Sequence, residues 1–264
     1  MLPLTGFVSL SDRIQARPSR PTPERTISVV SLNLAKETDS TKLVSAIRNT
    51  ARLRDADLFL FQEVASDGSH SSVAEKTARE LGYFASFMPA ASNVYDQGLA
   101  LVSRYEISSV QIRGLKAFNL GFRSRSRFAI TGTVRSPWGD LRVWNAHLDT
   151  RINAAARLEQ LQPIIEEASR QAEPQLIGGD FNTNELYWLR NVMPLPGGRS
   201  HRAMIRNAMK QNGFETPLAD ALDTFPALRR HLDWIYCRGL SPLESSVETT
   251  PFSDHNAIWV RVGL

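Results

Sequence analysis

The sequence predicts a mixed α/β domain, and three observations predict it. Short apolar, β-branched runs alternate with segments of helical periodicity from Thr26 to the C-terminus. Several of those runs end in a carboxylate, an amide or an imidazole, as strands do when they deliver polar groups to a sheet edge. The 264 residues, 42% apolar and 22% charged, suffice for one substantial core. No internal repeat and no second domain boundary is visible, so residues 26–264 are read as one catalytic domain. Residues 1–25 are read as an arm or linker, because Arg17 to Arg25 is rich in proline and charge.

The elements follow in order. Ile27–Leu32 is β-rich and ends at Asn33. Thr41–Leu53 carries Leu43, Ile47 and Ala51 at helical spacing, and Asp57–Phe61 is a continuously apolar strand. Val73–Leu81 is a helix stopped by Gly82. Strands are expected at Tyr83–Phe87, Gly98–Ser103, Ile107–Ile112, Arg127–Val134 and Leu141–His147, the last two joined by the turn Ser136–Asp140. Asn153–Arg170 is helical, and Pro163 should kink or split it, since an interior proline costs about 3 kcal/mol. Leu176-Ile177 leads into a turn at Asp180. Residues 185–212 read as helix broken at Pro194–Gly198. Two closing strands, His231–Cys237 and Asn256–Val262, flank a loop.

Charge and cysteine usage narrow the function classes. A net charge of +4 and a pI near 9.4 favour a polyanionic partner. The lone Cys237 excludes an internal disulfide and fits a reducing, cytoplasmic setting. Leu2–Leu10 lacks a basic region and a cleavage site, so it is a poor signal peptide. No run reaches the roughly 20 apolar residues of a membrane span. A monomer is expected.

The chemistry concentrates at the strand tips. Glu63 follows Leu58–Phe61 and Gln62, and a hard cation such as Mg²⁺ is often held by only one or two carboxylates. Asn33 places a neutral amide beside it. In Gly178-Gly179-Asp180-Phe181-Asn182 the glycines permit a tight turn and Phe181 anchors in the core. Asp180 and Asn182 then share one face, where an acid and an amide can orient a water and a phosphate oxygen. His147 and His255 each lie within two residues of an aspartate, Asp149 and Asp254. His255 can serve as acid or base if Asp233 orients its other ring nitrogen, and His147 can stabilise charge on the phosphate or leaving oxygen. His70, His201 and His231 sit in polar sequence and read as surface residues.

Six of these segments in this order resemble the endonuclease/exonuclease/phosphatase superfamily, also called deoxyribonuclease I-like. They are Ser31-Leu32-Asn33, Phe61-Gln62-Glu63, Asn145–Asp149, Gly179–Asn182, Leu232–Tyr236 and Ser253-Asp254-His255. Gly98–Arg104 and the Arg157…Gln160 pair look like further family features, and the pattern is most similar to a bacterial-type branch. The resemblance implies a four-layer αββα sandwich, with two mostly antiparallel sheets face to face and helices outside. It implies Mg²⁺- or Mn²⁺-dependent hydrolysis of phosphoester bonds. Glu63 resembles the principal metal ligand, with Asn33 and Asp254 close by. Asp180 and Asn182 resemble the residues that position the attacking water, His255 the histidine paired with an aspartate (Asp233), and His147 the residue on the leaving side. Repair endonucleases of the superfamily usually carry tryptophan before the first asparagine, where this chain has Leu32.

Two substrate classes follow. A nuclease reading draws on Arg123, Arg125 and Arg127, which alternate at the start of a strand and would face a phosphate backbone. A second basic cluster runs from Arg199 through Arg202 and Arg206 to Lys210. The alternative is a sphingomyelinase-like phospholipid hydrolase or a small phosphate-ester hydrolase. A lipid enzyme would favour an exposed apolar hairpin. No long candidate is legible, and Tyr187-Trp188-Leu189 and Pro251-Phe252 read as packing residues.

Overall fold

A computed structural model describes residues 25–66, 71–89, 98–120, 127–197, 200–219 and 222–264. The chain opens with β1 (Thr26–Asn33), α1 (Ser40–Asn49), α2 (Ala51–Arg54) and β2 (Leu58–Val64). It continues through α3 (Val73–Leu81), β3 (Phe84–Met88), β4 (Gly98–Ser103) and β5 (Ile107–Gly114). The hairpin β6 (Phe128–Ser136) and β7 (Gly139–His147) precedes α4 (Ala154–Ser169) and β8 (Gln175–Asp180). Then come β9 (Leu186–Leu189), β10 (Met193–Pro196) and α5 (His201–Gln211). The last strands are β11 (Asp233–Arg238), β12 (Ser241–Glu248) and β13 (Ala257–Gly263).

Two sheets form the sandwich, one ordered β12-β13-β1-β2-β4-β3 and one β11-β8-β7-β6-β5. Pairing is antiparallel except for β1 with β2 and β7 with β8. Alternation along each strand divides the residues between two cores. Ile27, Val29, Leu58 and Leu60 face inward against Val143, Ile177 and Ile235 of the second sheet. Val30, Leu32, Phe59 and Phe61 face outward against Leu43, Ile47, Leu53, Val73 and Ala78 from α1, α2 and α3. Helices α4 and α5 cover the second sheet through Leu161, Ile165, Ile205 and Met209. Both faces of the central strands are therefore buried, which explains why these strands read as continuous apolar runs rather than alternating ones. The expected four-layer α/β sandwich is the fold observed.

Several local expectations are corrected. The helix expected over Thr41–Leu53 is interrupted at Thr50, whose backbone is extended (φ −105°, ψ 115°). Pro163 lies inside α4 without splitting it. Residues 186–196 form a β-hairpin, and the helix begins only at His201, where the Ser200 side chain caps it by accepting from Ala203 N. Pro194 and Pro196 fit a two-stranded ribbon with open edges and would each cost a helix several kcal/mol, on the order of 3. The loop expected between the closing strands contains β12, an edge strand with Pro242 and a register shift beside it. Polar edge strands give no apolar signal, because one side has no neighbour to pack against.

Candidate active site

Strand direction gathers the polar tips at one end of the sandwich. Because β1 and β2 run parallel, Asn33 pairs with Gln62. Because β7 and β8 run parallel while β11 opposes them, His147, Asp180 and Asp233 lie in one row across the second sheet. The loop entering β13 arrives beside Asn33, where Ser253 Oγ donates to the Asn33 carbonyl at 2.7 Å and accepts from His255 N at 3.0 Å.

The glycines before Asp180 act differently from the expected turn. They belong to β8, between β7 and β11. A Cβ on Gly179, at φ +134°, would collide with the Ala146 carbonyl, and one on Gly178 would lie 2.7 Å from Leu60 Cδ1. Close backbone approach requires glycine at position 179, whereas at position 178 the added Cβ would press chiefly on the Leu60 side chain. Glu63 sits on a β-bulge: Phe61 pairs with Ala100 and Val64 with Gly98, so β2 carries one extra residue. Glu63 takes φ +49° and is half-buried. A bulge of this kind re-aims a side chain out of the regular ladder.

Three side chains converge on Asp180 Oδ2: Asn33 Nδ2 donates to it at 3.1 Å, His147 Nε2 lies at 3.5 Å and His255 Nε2 at 3.9 Å. Asp180 Oδ1 accepts from Asn182 N at 2.8 Å, and Asn182 Nδ2 is spent on the Leu148 carbonyl at 2.9 Å. His255 Nδ1 meets Asp233 Oδ2 at 2.9 Å. The Asp233 backbone is held in turn by Thr224 Oγ1, which accepts its N–H at 3.3 Å, and by His231 Nε2, 2.9 Å from its carbonyl. All of these site side chains are buried. Burial first, and then the charge of Asp233, push the Asp180 carboxyl up to about 7. Burial alone would push the His255 imidazole down. The charge and hydrogen bond of Asp233, with Asp180, outweigh it and hold the ring at about 10.

The site residues fit a divalent cation. Ligand atoms of Asp180, Asp233 and His255 lie within 4.8 Å of one another. Asp233 Oδ1 is buried with no hydrogen-bond partner among the described residues. His255 Nδ1 and Asp233 Oδ2 are occupied with each other, so the donors left are mostly oxygen, the chemistry that suits a hard cation.

Asn33, His147, Asp180, Asn182, Asp233 and His255 are thus brought into contact, with Glu63 next along β2 from the residue paired to Asn33. Asp254 is exposed and acts on His255 through its charge. Arg127 Nε donates to the buried Asp149 at 2.7 Å; Arg123 and Arg125 lie outside the described residues, as do His70 and Arg199. His201 and His231 are corrections, since both are buried. His201 Nδ1 accepts from Arg157 Nε at 3.2 Å, and the His231 ring stacks on Trp234 at 4.0 Å. In the basic cluster, Arg202 pairs with Glu185 at 3.0 Å and Arg206 lies over Trp234. Sequence reasoning missed Arg157 as an organiser of the loop behind Asn182. Its buried guanidinium donates to the carbonyls of Asp149, Thr150, Ile152 and Phe181. A charged residue on the inward stripe of α4 is the signal that could have found it.

A buried carboxylate close to neutrality, an imidazole oriented by a second carboxylate, and oxygen donors fit for a cation define a metal-assisted hydrolase. Residues 30–255 match the sequence pattern of the Endonuclease/Exonuclease/phosphatase family. The fold is similar to an endonuclease/exonuclease/phosphatase from Beutenbergia cavernae DSM 12333, at a TM-score of 0.72 and 20% identity over 91% of this chain and 72% of that one. It is also similar to a family protein from Leptotrichia buccalis C-1013-b (TM-score 0.66, 15% identity, 90% and 100% covered). The human Nocturnin catalytic domain with bound sulfate matches at a TM-score of 0.66 and 17% identity, with 90% and 93% covered. The chain belongs to the endonuclease/exonuclease/phosphatase family, and it is a metal-dependent hydrolase of phosphoester bonds.

Proposed function

We propose that this enzyme is a nuclease, a phosphodiesterase acting on DNA or RNA with Mg²⁺ or Mn²⁺. The convergence of Asn33, His147 and His255 on one oxygen of Asp180 carries the reading. Glu63, with Asn33 and Asp254, would hold the cation rather than the Asp180–Asp233–His255 group, whose imidazole is protonated and whose carboxylates are engaged with His255 and Asn33. The cation when bound supplies charge stabilisation at the phosphate. Asp180 Oδ2 orients the attacking water and takes its proton, a task suited to a carboxyl that titrates near 7. Asn182 fixes the Asp180 carboxylate through its backbone N–H. Asp233 keeps His255 protonated, so its Nε2–H faces the charge that develops on the phosphate. His147 serves the leaving oxygen. The net charge of +4 supports a polyanionic substrate, with Arg123 and Arg125 as proposed backbone contacts; Arg127, expected to join them, is instead held by the buried Asp149.

One observation favours a second reading, hydrolysis of a phospholipid. Residues 187 and 189, expected to pack, are exposed on the β9–β10 hairpin: Tyr187 is 44% and Leu189 39% exposed, beside Val192 at 57% and Met193 at 50%. Leu189 pairs with Met193 and Tyr187 with Leu195 across the ribbon, so Tyr187, Leu189 and Met193 share one face, and residues 186–197 contain no acid. Among the described residues no helix is long and apolar enough to cross a membrane.

A metal-dependent hydrolysis panel decides between them. Plasmid DNA, single-stranded DNA and RNA are set beside sphingomyelin vesicles and a soluble phosphomonoester, with Glu63→Gln as the blank. Nucleic-acid cleavage that vanishes in the variant is the expected result. Activity confined to lipid or monoester overturns the nuclease reading, and full activity in Glu63→Gln overturns the site assignment.

A further inference from the structure

Two buried amides join the sheets directly beneath Glu63. Gln62 Nε2 donates to Asn145 Oδ1 at 2.8 Å, to the Leu60 carbonyl at 2.8 Å and to Ser31 Oγ at 3.2 Å. Asn145 Nδ2 donates to the carbonyls of Phe61 at 2.9 Å and Ala100 at 3.0 Å. Both side chains are fully buried. The two carbonyls around each NH₂ group allow only one orientation of either amide.

The position of these bonds is informative. Phe61 and Ala100 are the last regular pair between β2 and β4 before the bulge, and pairing resumes only at Val64 and Gly98. Asn145, from the opposite sheet, therefore occupies both carbonyls at the point where the ladder breaks. On the other flank, Gln62 O accepts from Leu34 N at 2.9 Å and continues the pairing with β1. The backbone leading into Glu63 is thus held from three directions, while Glu63 itself takes φ +49°. A non-glycine residue in that region is strained and persists where its surroundings over-determine it. An apolar pair would fill the space between the sheets without the cost of burying amides, but it would leave the Phe61 and Ala100 carbonyls without Asn145.

We propose that Asn145, with Gln62, is a positioning residue for Glu63: it sets the bulge that aims the Glu63 carboxylate at the cation. The proposal rests on reading Glu63 as a metal ligand. It assigns a specific task to an asparagine that touches neither substrate nor metal, and it makes the second sheet a determinant of metal affinity in the first.

Calorimetric titration of the metal-stripped full chain with Mn²⁺ tests it, on wild type, Glu63→Gln, Asn145→Leu and Gln62→Met. Circular dichroism and thermal melting of each variant accompany the titrations. Loss of a partner that orients a metal ligand weakens affinity by about 10–100-fold, and that loss is expected in Asn145→Leu, with a smaller one in Gln62→Met. If Asn145→Leu does not fold, Gln62→Met, which keeps an unbranched side chain of similar length, decides alone. A lower melting temperature with wild-type Mn²⁺ affinity marks a merely structural role and overturns the proposal. Should Glu63→Gln bind Mn²⁺ like wild type, the metal reading of Glu63 itself falls, a different failure from wild-type affinity in the amide variants alone.

Discussion

Acid should weaken this fold through His201, and the effect can be sized from its surroundings. His201 is buried at the start of α5 with Nδ1 accepting from the Arg157 guanidinium, so the neutral ring fits and the imidazolium does not. Burial first, and Arg157 second, lower its pKa from 6.5 to about 4. Below pH 6.5 the unfolded chain binds a proton that the folded chain refuses. Stability is therefore complete above 6.5 and falls as pH drops toward 4. At about 1.36 kcal/mol per tenfold change in proton affinity, the gap corresponds to roughly 3.4 kcal/mol. Solvent near the helix end screens part of it, which reduces the figure to about 1.5 kcal/mol. Urea unfolding between pH 7 and pH 3.5, wild type against His201→Asn, isolates the contribution, because the asparagine oxygen stands at the Nδ1 position and accepts from Arg157 without titrating. Wild type should lose about 1.5 kcal/mol more than the variant across that window. Parallel pH profiles would refute the reasoning.

Three other outcomes are expected. Asp233→Asn should lower the His255 pKa from about 10, since it removes the largest influence opposing burial, and should cut hydrolysis by roughly 10²–10⁴-fold; imidazole NMR titration and rate assays read the two effects. Arg157→Met leaves four backbone carbonyls without their donor and should cost about 3–5 kcal/mol in urea unfolding, with less than 1 kcal/mol contradicting its role. Gly179→Ala forces a Cβ onto the Ala146 carbonyl at φ +134° and should destabilise by more than about 4 kcal/mol, so a soluble variant with an unchanged melting point would contradict the close approach of β7 and β8.

Fold class and the identity of the site's polar tips could be read from local pattern. Period-two and helical spacing are set by neighbours along the chain, so β1, β2, α3, β7 and β13 emerge close to their expected bounds. Asn33, Glu63, His147, Asp180, Asp233 and His255 stood out because buried strands seldom end in such groups without a partner. The partner of His255 was also legible, since Asp233 stands in the strand-like run Leu232–Tyr236.

What the sequence determined by itself was which residues stand at the ends of strands. Only the tertiary structure decided how those ends meet. Asp180 as the common partner of Asn33, His147 and His255 depends on strand direction and sheet stacking between residues more than a hundred positions apart in the case of Asn33. The edge strand β12, the exposed β9–β10 ribbon and the burial of His201 and His231 escaped for the same reason. Each is settled by what packs against the segment, not by the segment's own periodicity. The bulge at Glu63 is the sharpest case: nothing in Phe61-Gln62-Glu63 announces a left-handed residue, because the amide that takes up its neighbours' carbonyls comes from Asn145 in the other sheet.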